Sequence, residues 1–132
     1  MTWVDAFAGF LVAHMVGDYL FQTDWQASHK RGGLTGDSVS RRALLTHVTT
    51  YTIAFIPVFV WIAIRLDDVL IAVIAAVLVF LPHFVVDDGR IVVGYVRRVK
   101  RADVRNLGLL TSVDQAFHIL SLWAVAILVG AS

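Results

Sequence analysis

The 132-residue sequence has no cysteine and no glutamate, and its charges are few: 11 basic residues and 10 aspartates. Without cysteine, disulfide scaffolds, thiolate metal sites, iron–sulfur clusters and cysteine nucleophiles are excluded. Hydrophobic residues make up 58% of the chain and the mean hydropathy is +0.76, which excludes a disordered chain and an ordinary soluble domain. A small membrane protein remains, and at ~20 residues per span its length allows four spans without a separate extramembrane domain.

Four apolar stretches predict an all-α integral membrane protein, a single transmembrane domain over residues 1–132 that folds as a four-helix up-down bundle. The expected helices cover residues 3–22, 44–64, 69–100 and 109–130. The first stretch lacks the basic start and the cleavage site of a signal peptide, so we expect it to remain as a helix. The last part of the third helix alternates basic and apolar residues at helical spacing, which predicts a basic extension along the membrane surface.

Charge distribution predicts the orientation of these helices. Ten of the eleven basic residues lie in the two segments that join helix one to two and helix three to four. The positive-inside rule therefore predicts a multi-pass protein of the cell (inner) membrane, with both basic loops cytoplasmic and both termini outside. We interpret the basic residues as a topology signal that also attracts anionic lipids, and nothing in them indicates nucleic-acid binding.

Each expected helix carries a histidine, and three helices also carry an aspartate four residues away, which puts both side chains on one helical face. The residues are His14 and Asp18, His47, His83 and Asp87, and Asp114 and His118. In an up-down bundle, the ends of helices one and three meet the starts of helices two and four. The pattern therefore predicts that all seven residues lie in one layer just inside the cytoplasmic interface.

An aspartate in the middle of a membrane helix costs ~2.5–3.5 kcal/mol, so several in one layer need compensation. Imidazole and carboxylate groups on facing helices are ligands for divalent metals, and the seven residues exceed the needs of one tetrahedral ion. We expect one or two ions, with zinc favoured over manganese or iron. A proton or ion relay and a purely structural hydrogen-bond network are the alternatives.

A metal site in this layer favours a membrane-embedded metal-dependent enzyme, a hydrolase of a lipid-borne or amphiphilic ester or phosphoester that enters from the inner leaflet. Asp114 is the candidate proton acceptor, and Gln22 and Arg90 are candidates for orienting the substrate. Arg90 could instead pair with Asp87. The neighbouring Asp88 is expected to be a solvated charge at a helix end.

Two other functions fit the same residues. A divalent-cation or proton transporter would use the layer as a transient binding site, and with only four helices per chain it would need to be a homo-oligomer. A non-enzymatic membrane adaptor would use the basic cytoplasmic surface for docking. A haem or electron-transfer protein is disfavoured because an aspartate lies four residues from three of the histidines.

Four sequence strings carry a family resemblance that spans nearly the whole chain. They are A-H-M-V-G-D-Y-L-F-Q-T-D-W in helix one, L-T-H in helix two, H-F-V-V-D in helix three and D-Q-A-F-H in helix four. Together they resemble the bacterial and phage membrane-protein family known as domain of unknown function 3307. The resemblance implies a shared polar pattern but supplies no function. The layout is also similar to that of small membrane-bound metal-dependent hydrolases, a likeness of architecture only.

Overall fold

The computed structural model describes residues 1–132 and contains helices and connecting segments but no strands. The helices are α1 (Trp3–Met15), α2 (Asp24–His29), α3 (Ser38–Leu66), α4 (Val69–Asp87), α5 (Arg90–Arg98) and α6 (Leu107–Gly130). A π-helical segment, Val16–Phe21, continues α1.

Four helices are long and apolar enough to cross a membrane: α1 with its π-helical segment, α3, α4 and α6. This confirms the prediction of an all-helical fold with four helices that could span a membrane. Each of the four packs against two others, in the order α1, α3, α4, α6 and back to α1. A buried apolar cluster fills the space between them and includes Phe10, Tyr51, Phe55 and Ala126.

The segment between α1 and α3 contains a short helix where the sequence analysis predicted only a polar loop. Thr23 and Gln26 form a capping box that starts α2: each side chain accepts a hydrogen bond from the backbone N–H of the other. Asp37 caps α3, which therefore begins at Ser38 rather than at residue 44. The N–H of Ser40 donates to Asp37 over 2.9 Å and holds the pKa of that carboxyl below its usual value.

The expected continuous helix over residues 69–100 was wrong, because the chain breaks between α4 and α5. Gly89 has a φ of +80°, a conformation that a right-handed helix cannot contain. The basic residues beyond it form the separate helix α5. Its buried residues Val92 and Val96 belong to a second apolar cluster with Leu110 and Val113 of α6.

Candidate metal centre

Histidine and aspartate side chains from all four long helices meet in the interior of the bundle. The π-helical segment contributes Asp18, α3 contributes His47, α4 contributes His83 and Asp87, and α6 contributes His118. Each of these residues is buried, and Asp18, the most exposed of them, has a relative accessibility of 8%. The chain therefore gathers polar side chains in the interior of a bundle whose other buried residues are mainly apolar.

Three of the ligand atoms cluster around one point, and a fourth lies beside them. Asp87 Oδ2 lies 2.7 Å from His47 Nε2 and 3.1 Å from His83 Nε2, and the two imidazole nitrogens are 3.2 Å apart. Asp18 Oδ1 lies 3.4 Å from His47 Nε2 and 3.8 Å from His83 Nε2. In a tetrahedral site with zinc–ligand distances of 2.0–2.1 Å, the ligand atoms are about 3.3 Å apart. The separations among Asp87 Oδ2, His47 Nε2 and His83 Nε2 are close to this value, so these three atoms fit the coordination shell of one ion, whereas Asp18 groups with His83 and His118.

Hydrogen bonding within the bundle leaves several of these atoms unsatisfied. The buried atoms that make no well-aligned hydrogen bond are Asp18 Oδ1, both carboxylate oxygens of Asp87, His118 Nε2, and Nδ1 of His47 and of His83. Buried polar atoms normally have a partner, because leaving one unpaired costs about 1–3 kcal/mol. A cation at the centre would supply the missing interaction for the carboxylate oxygens and for His118 Nε2, but not for Nδ1 of His47 or of His83, since each of these rings turns its Nε2 to the centre.

His118 is oriented as a metal-binding histidine is. Its Nδ1 lies 2.8 Å from the backbone carbonyl oxygen of Asp114. Because a carbonyl only accepts hydrogen bonds, Nδ1 carries a proton, and Nε2 is the ring nitrogen that could bind a metal in the neutral form. That Nε2 lies 3.4 Å from Asp87 Oδ1, while Asp87 Oδ2 faces His47 and His83. The two oxygens of Asp87 thus face two groups of ligand atoms.

His14 lies beside the centre but outside the groups of side chains that could hold a metal. One ring nitrogen lies 2.9 Å from Gln115 Oε1, and the other lies 3.1 Å from the hydroxyl of Tyr51. Because both nitrogens have hydrogen-bond partners, we do not include His14 among the ligands, in contrast to the sequence prediction. Tyr51 in turn stacks on His83, with ring centroids 3.4 Å apart and ring planes 7° apart. His14 and Tyr51 therefore position a ligand.

Lys30 was not predicted as a site residue. It follows the last residue of α2, and its Nζ lies 3.0 Å from Asp87 Oδ2 and 2.7 Å from Gln22 Oε1. The sequence analysis counted Lys30 only as a basic loop residue. The one sequence signal that could have placed it is the capping box at Thr23 and Gln26, because that box starts the short helix that carries Lys30 to the centre.

A cavity of about 220 Å³ lies against the centre. Its lining includes three carboxylates (Asp18, Asp87 and Asp114), two basic side chains (Lys30 and Arg31) and the polar side chains of Tyr19, Gln22, Thr111 and Gln115. On the other side of the centre, Tyr51 packs against Phe55, and Phe55 against Phe10, all of them buried. The centre is therefore open to a cavity on one side and closed by aromatic rings on another.

Arg90 does not line this cavity. Its Nε lies 2.9 Å from Asp88 Oδ2, and its guanidinium also donates to the hydroxyl of Thr35. Asp88 is 2% exposed rather than solvated as expected, because it also accepts the backbone N–H of Leu34 over 2.8 Å. The pair formed by Asp88 and Arg90 thus fastens the loop after α2 to the start of α5.

The four apolar helices and the buried cluster of histidines and aspartates define a membrane protein whose side chains could hold a metal ion. The chain belongs to a family described as protein of unknown function (DUF3307), whose model matches residues 6–132. This match confirms the resemblance drawn from the four sequence strings. No curated protein and no solved structure is detectably similar to the chain.

Proposed function

We propose that this protein is a membrane-embedded metal-dependent hydrolase that acts on a lipid-borne or amphiphilic ester or phosphoester. The convergence of His47, His83 and Asp87 at separations close to those of a tetrahedral coordination shell, with Asp18 beside them, is the observation that carries the proposal. Zinc is the metal that such a set of nitrogen and oxygen ligands favours, and manganese or ferrous iron could take its place.

The chain holds one or two ions in this proposal. The first ion would be held by His47, His83 and Asp87, with Asp18 next to them. A second ion would use the other oxygen of Asp87 together with His118 and Asp114, whose ligand atoms also lie close together. A divalent ion in such a site polarises the scissile bond and supplies a water nucleophile at neutral pH.

Asp114 and Gln22 have roles on the cavity side of the centre. Asp114 lines the cavity, and its Oδ2 lies 3.6 Å from Nδ1 of His118, so it is next to the centre. With one ion bound, its carboxylate is free to take a proton from the attacking water. Gln22 lines the same cavity and orients the substrate. We assign no substrate contact to Arg90, because its guanidinium is engaged by Asp88 and Thr35 outside the cavity.

The aromatic side of the centre favours an enzyme over a transporter. Transport of an ion would need a way out past Tyr51, Phe55 and Phe10, whose rings fill the bundle there and are at most 1% exposed. A hydrolase needs access from one side only, which the cavity provides.

Membrane orientation is part of the proposal. The helices alternate in direction as an up-down bundle, with the basic loops and α5 on the cytoplasmic side and the centre near the inner leaflet. An amphiphilic substrate would then reach the cavity from that leaflet. The bilayer itself is the partner of the exposed apolar faces of the long helices.

Metal content tests the proposal. We expect near-stoichiometric zinc in protein that is purified in detergent with zinc supplied, and loss of the zinc in His83→Ala. The matched control is His29→Ala, because His29 is an exposed histidine outside the centre. Helicity by circular dichroism shows whether each variant has folded. Equal zinc content in the two folded variants, or none in the wild type, would contradict the proposal.

Hydrolysis is tested on the same preparations. We expect the zinc-loaded protein to cleave a chromogenic ester or phosphoester in mixed micelles. Asp114→Asn should retain the zinc of the primary site and lose about a hundredfold or more in rate, the usual contribution of a general base. Full activity in Asp114→Asn would exclude Asp114 as the proton acceptor.

A further inference from the structure

Lys30 is the basic side chain closest to the candidate metal centre. Its side chain is only 13% exposed, and its ammonium group lies between Asp87 of the centre and Gln22 at the cavity. An ammonium group has three hydrogen-bond donors. At most two of them are used, one by Gln22 and another by the ion pair with Asp87, which is not well aligned as a hydrogen bond. The third donor is available to a molecule in the cavity.

Charge in the cavity favours an anionic occupant. The lining carries three aspartates and, besides Lys30, the guanidinium of Arg31. The charges of one divalent ion and of these two basic side chains add up to one positive charge more than the three carboxylates can neutralise. An anion next to the ion would neutralise that charge, whereas a neutral ester would leave it uncompensated in a partly buried site.

The rest of the lining suits a charged head with an organic tail. The amide of Gln22 and the hydroxyl of Thr111 offer neutral hydrogen-bond donors, while the donors of Tyr19 and Gln115 are engaged by side chains of the cavity wall. Val92, Val93 and Leu110 supply apolar surface in the same cavity. The phosphoryl oxygens of a substrate could accept hydrogen bonds from the polar side chains. A hydrocarbon portion could pack against the apolar ones.

We propose that Lys30 and Arg31 form an anion-binding site for the phosphoryl group of the substrate, beside the metal ion that the proposed function places there. The inference rests on that proposed function and narrows it, because it selects an anionic phosphoester over a neutral ester. Lys30 holds the phosphoryl oxygens through its free donor while it keeps its contact with Asp87.

Cobalt substitution makes the site visible without turnover. The absorption spectrum of bound Co²⁺ changes when an anion enters its coordination shell, so inorganic phosphate and short-chain phosphatidic acid can each be titrated into the cobalt protein in detergent. The variants are Lys30→Gln and, as matched control, Lys100→Gln, which changes an exposed lysine outside the cavity and is the only other lysine of the chain.

We expect phosphate to shift the wild-type spectrum, with a dissociation constant about tenfold to a hundredfold higher in Lys30→Gln and unchanged in Lys100→Gln. Tighter binding of phosphatidic acid than of inorganic phosphate would identify a lipid headgroup as the source, and equal binding would identify free phosphate. Failure of both anions to shift the spectrum, or equal binding to the two variants, would overturn the inference. No cobalt spectrum in the wild type would instead overturn the proposed metal site.

Lys30→Gln tests binding only if it still holds cobalt. If it does not, Lys30→Arg and Arg31→Gln replace it, because the first keeps the positive charge and the second leaves Lys30 in place. Phosphate affinity should be retained in Lys30→Arg and reduced in Arg31→Gln. Reduced phosphate affinity in Lys30→Arg together with unchanged affinity in Arg31→Gln would refute the inference.

Discussion

Substitution of Gly17 by alanine tests how tightly the ligand His83 is positioned. A Cβ atom at Gly17 would lie 2.6 Å from Tyr51 Cδ2 and 3.3 Å from Tyr51 Cα. Because carbon atoms pack at about 3.5–4.0 Å, the tyrosine ring would have to move by about 1 Å. It cannot do so freely, since its face stacks on His83 with centroids 3.4 Å apart. A shift of the Tyr51 ring would therefore displace His83, the candidate metal ligand on which it stacks.

Overpacking of this kind costs about 1–3 kcal/mol of stability, and disturbed support of a ligand lowers metal affinity by about tenfold to a hundredfold. Gly94→Ala is the matched control, because a Cβ there has no neighbour within 4 Å and alanine in a helix stabilises by about 0.5–1 kcal/mol relative to glycine. Zinc affinity is measured by competition with a chromogenic chelator in detergent. Wild-type affinity in folded Gly17→Ala would refute the argument that Tyr51 positions His83.

Two further predictions concern residues around the centre. Tyr51→Phe removes the hydroxyl that contacts His14 over 3.1 Å but keeps the ring, so we expect a loss of about 0.5–1.5 kcal/mol in unfolding free energy with zinc retained; loss of zinc would show that the hydroxyl, rather than the ring, supports the site. Asp88→Ala removes a buried carboxylate that accepts the N–H of Leu34 and pairs with Arg90, so we expect about 1–3 kcal/mol lower stability and faster proteolysis of the loop after α2. Asp103→Ala, at an exposed residue, is the control, and equal effects of the two aspartate substitutions would contradict the anchoring role of Asp88.

Local pattern was sufficient to predict the main elements. Long apolar stretches predicted the membrane helices, because the thickness of a bilayer fixes their length. Spacing of four residues predicted that His83 and Asp87 share a helical face, and their ligand atoms are 3.1 Å apart. Both features depend only on residues that are close together in the sequence, so local pattern is enough to predict them.

Features that depend on distant contacts could not be predicted in this way. Lys30 lies next to Asp87 for two reasons. The capping box starts a short helix in a segment whose composition is typical of a loop, and the loop that follows is held by a hydrogen bond to Asp88. The partners of His14 are 37 and 101 residues away along the chain, so no local pattern shows that both of its nitrogens are engaged. The only sequence signal of the helix break at Gly89 is the glycine itself. Because membrane helices also contain glycine, this signal does not predict a break.

X-ray absorption spectroscopy of the zinc-loaded protein in detergent tests the central claim most directly, since it reports the atoms bound to the metal. The account predicts nitrogen and oxygen ligands at about 2.0–2.1 Å with the multiple-scattering signature of imidazole from His47 and His83. The double variant His47→Ala and His83→Ala should lose the zinc together with this signature. A shell of oxygen atoms alone around the zinc of the wild type would contradict the account.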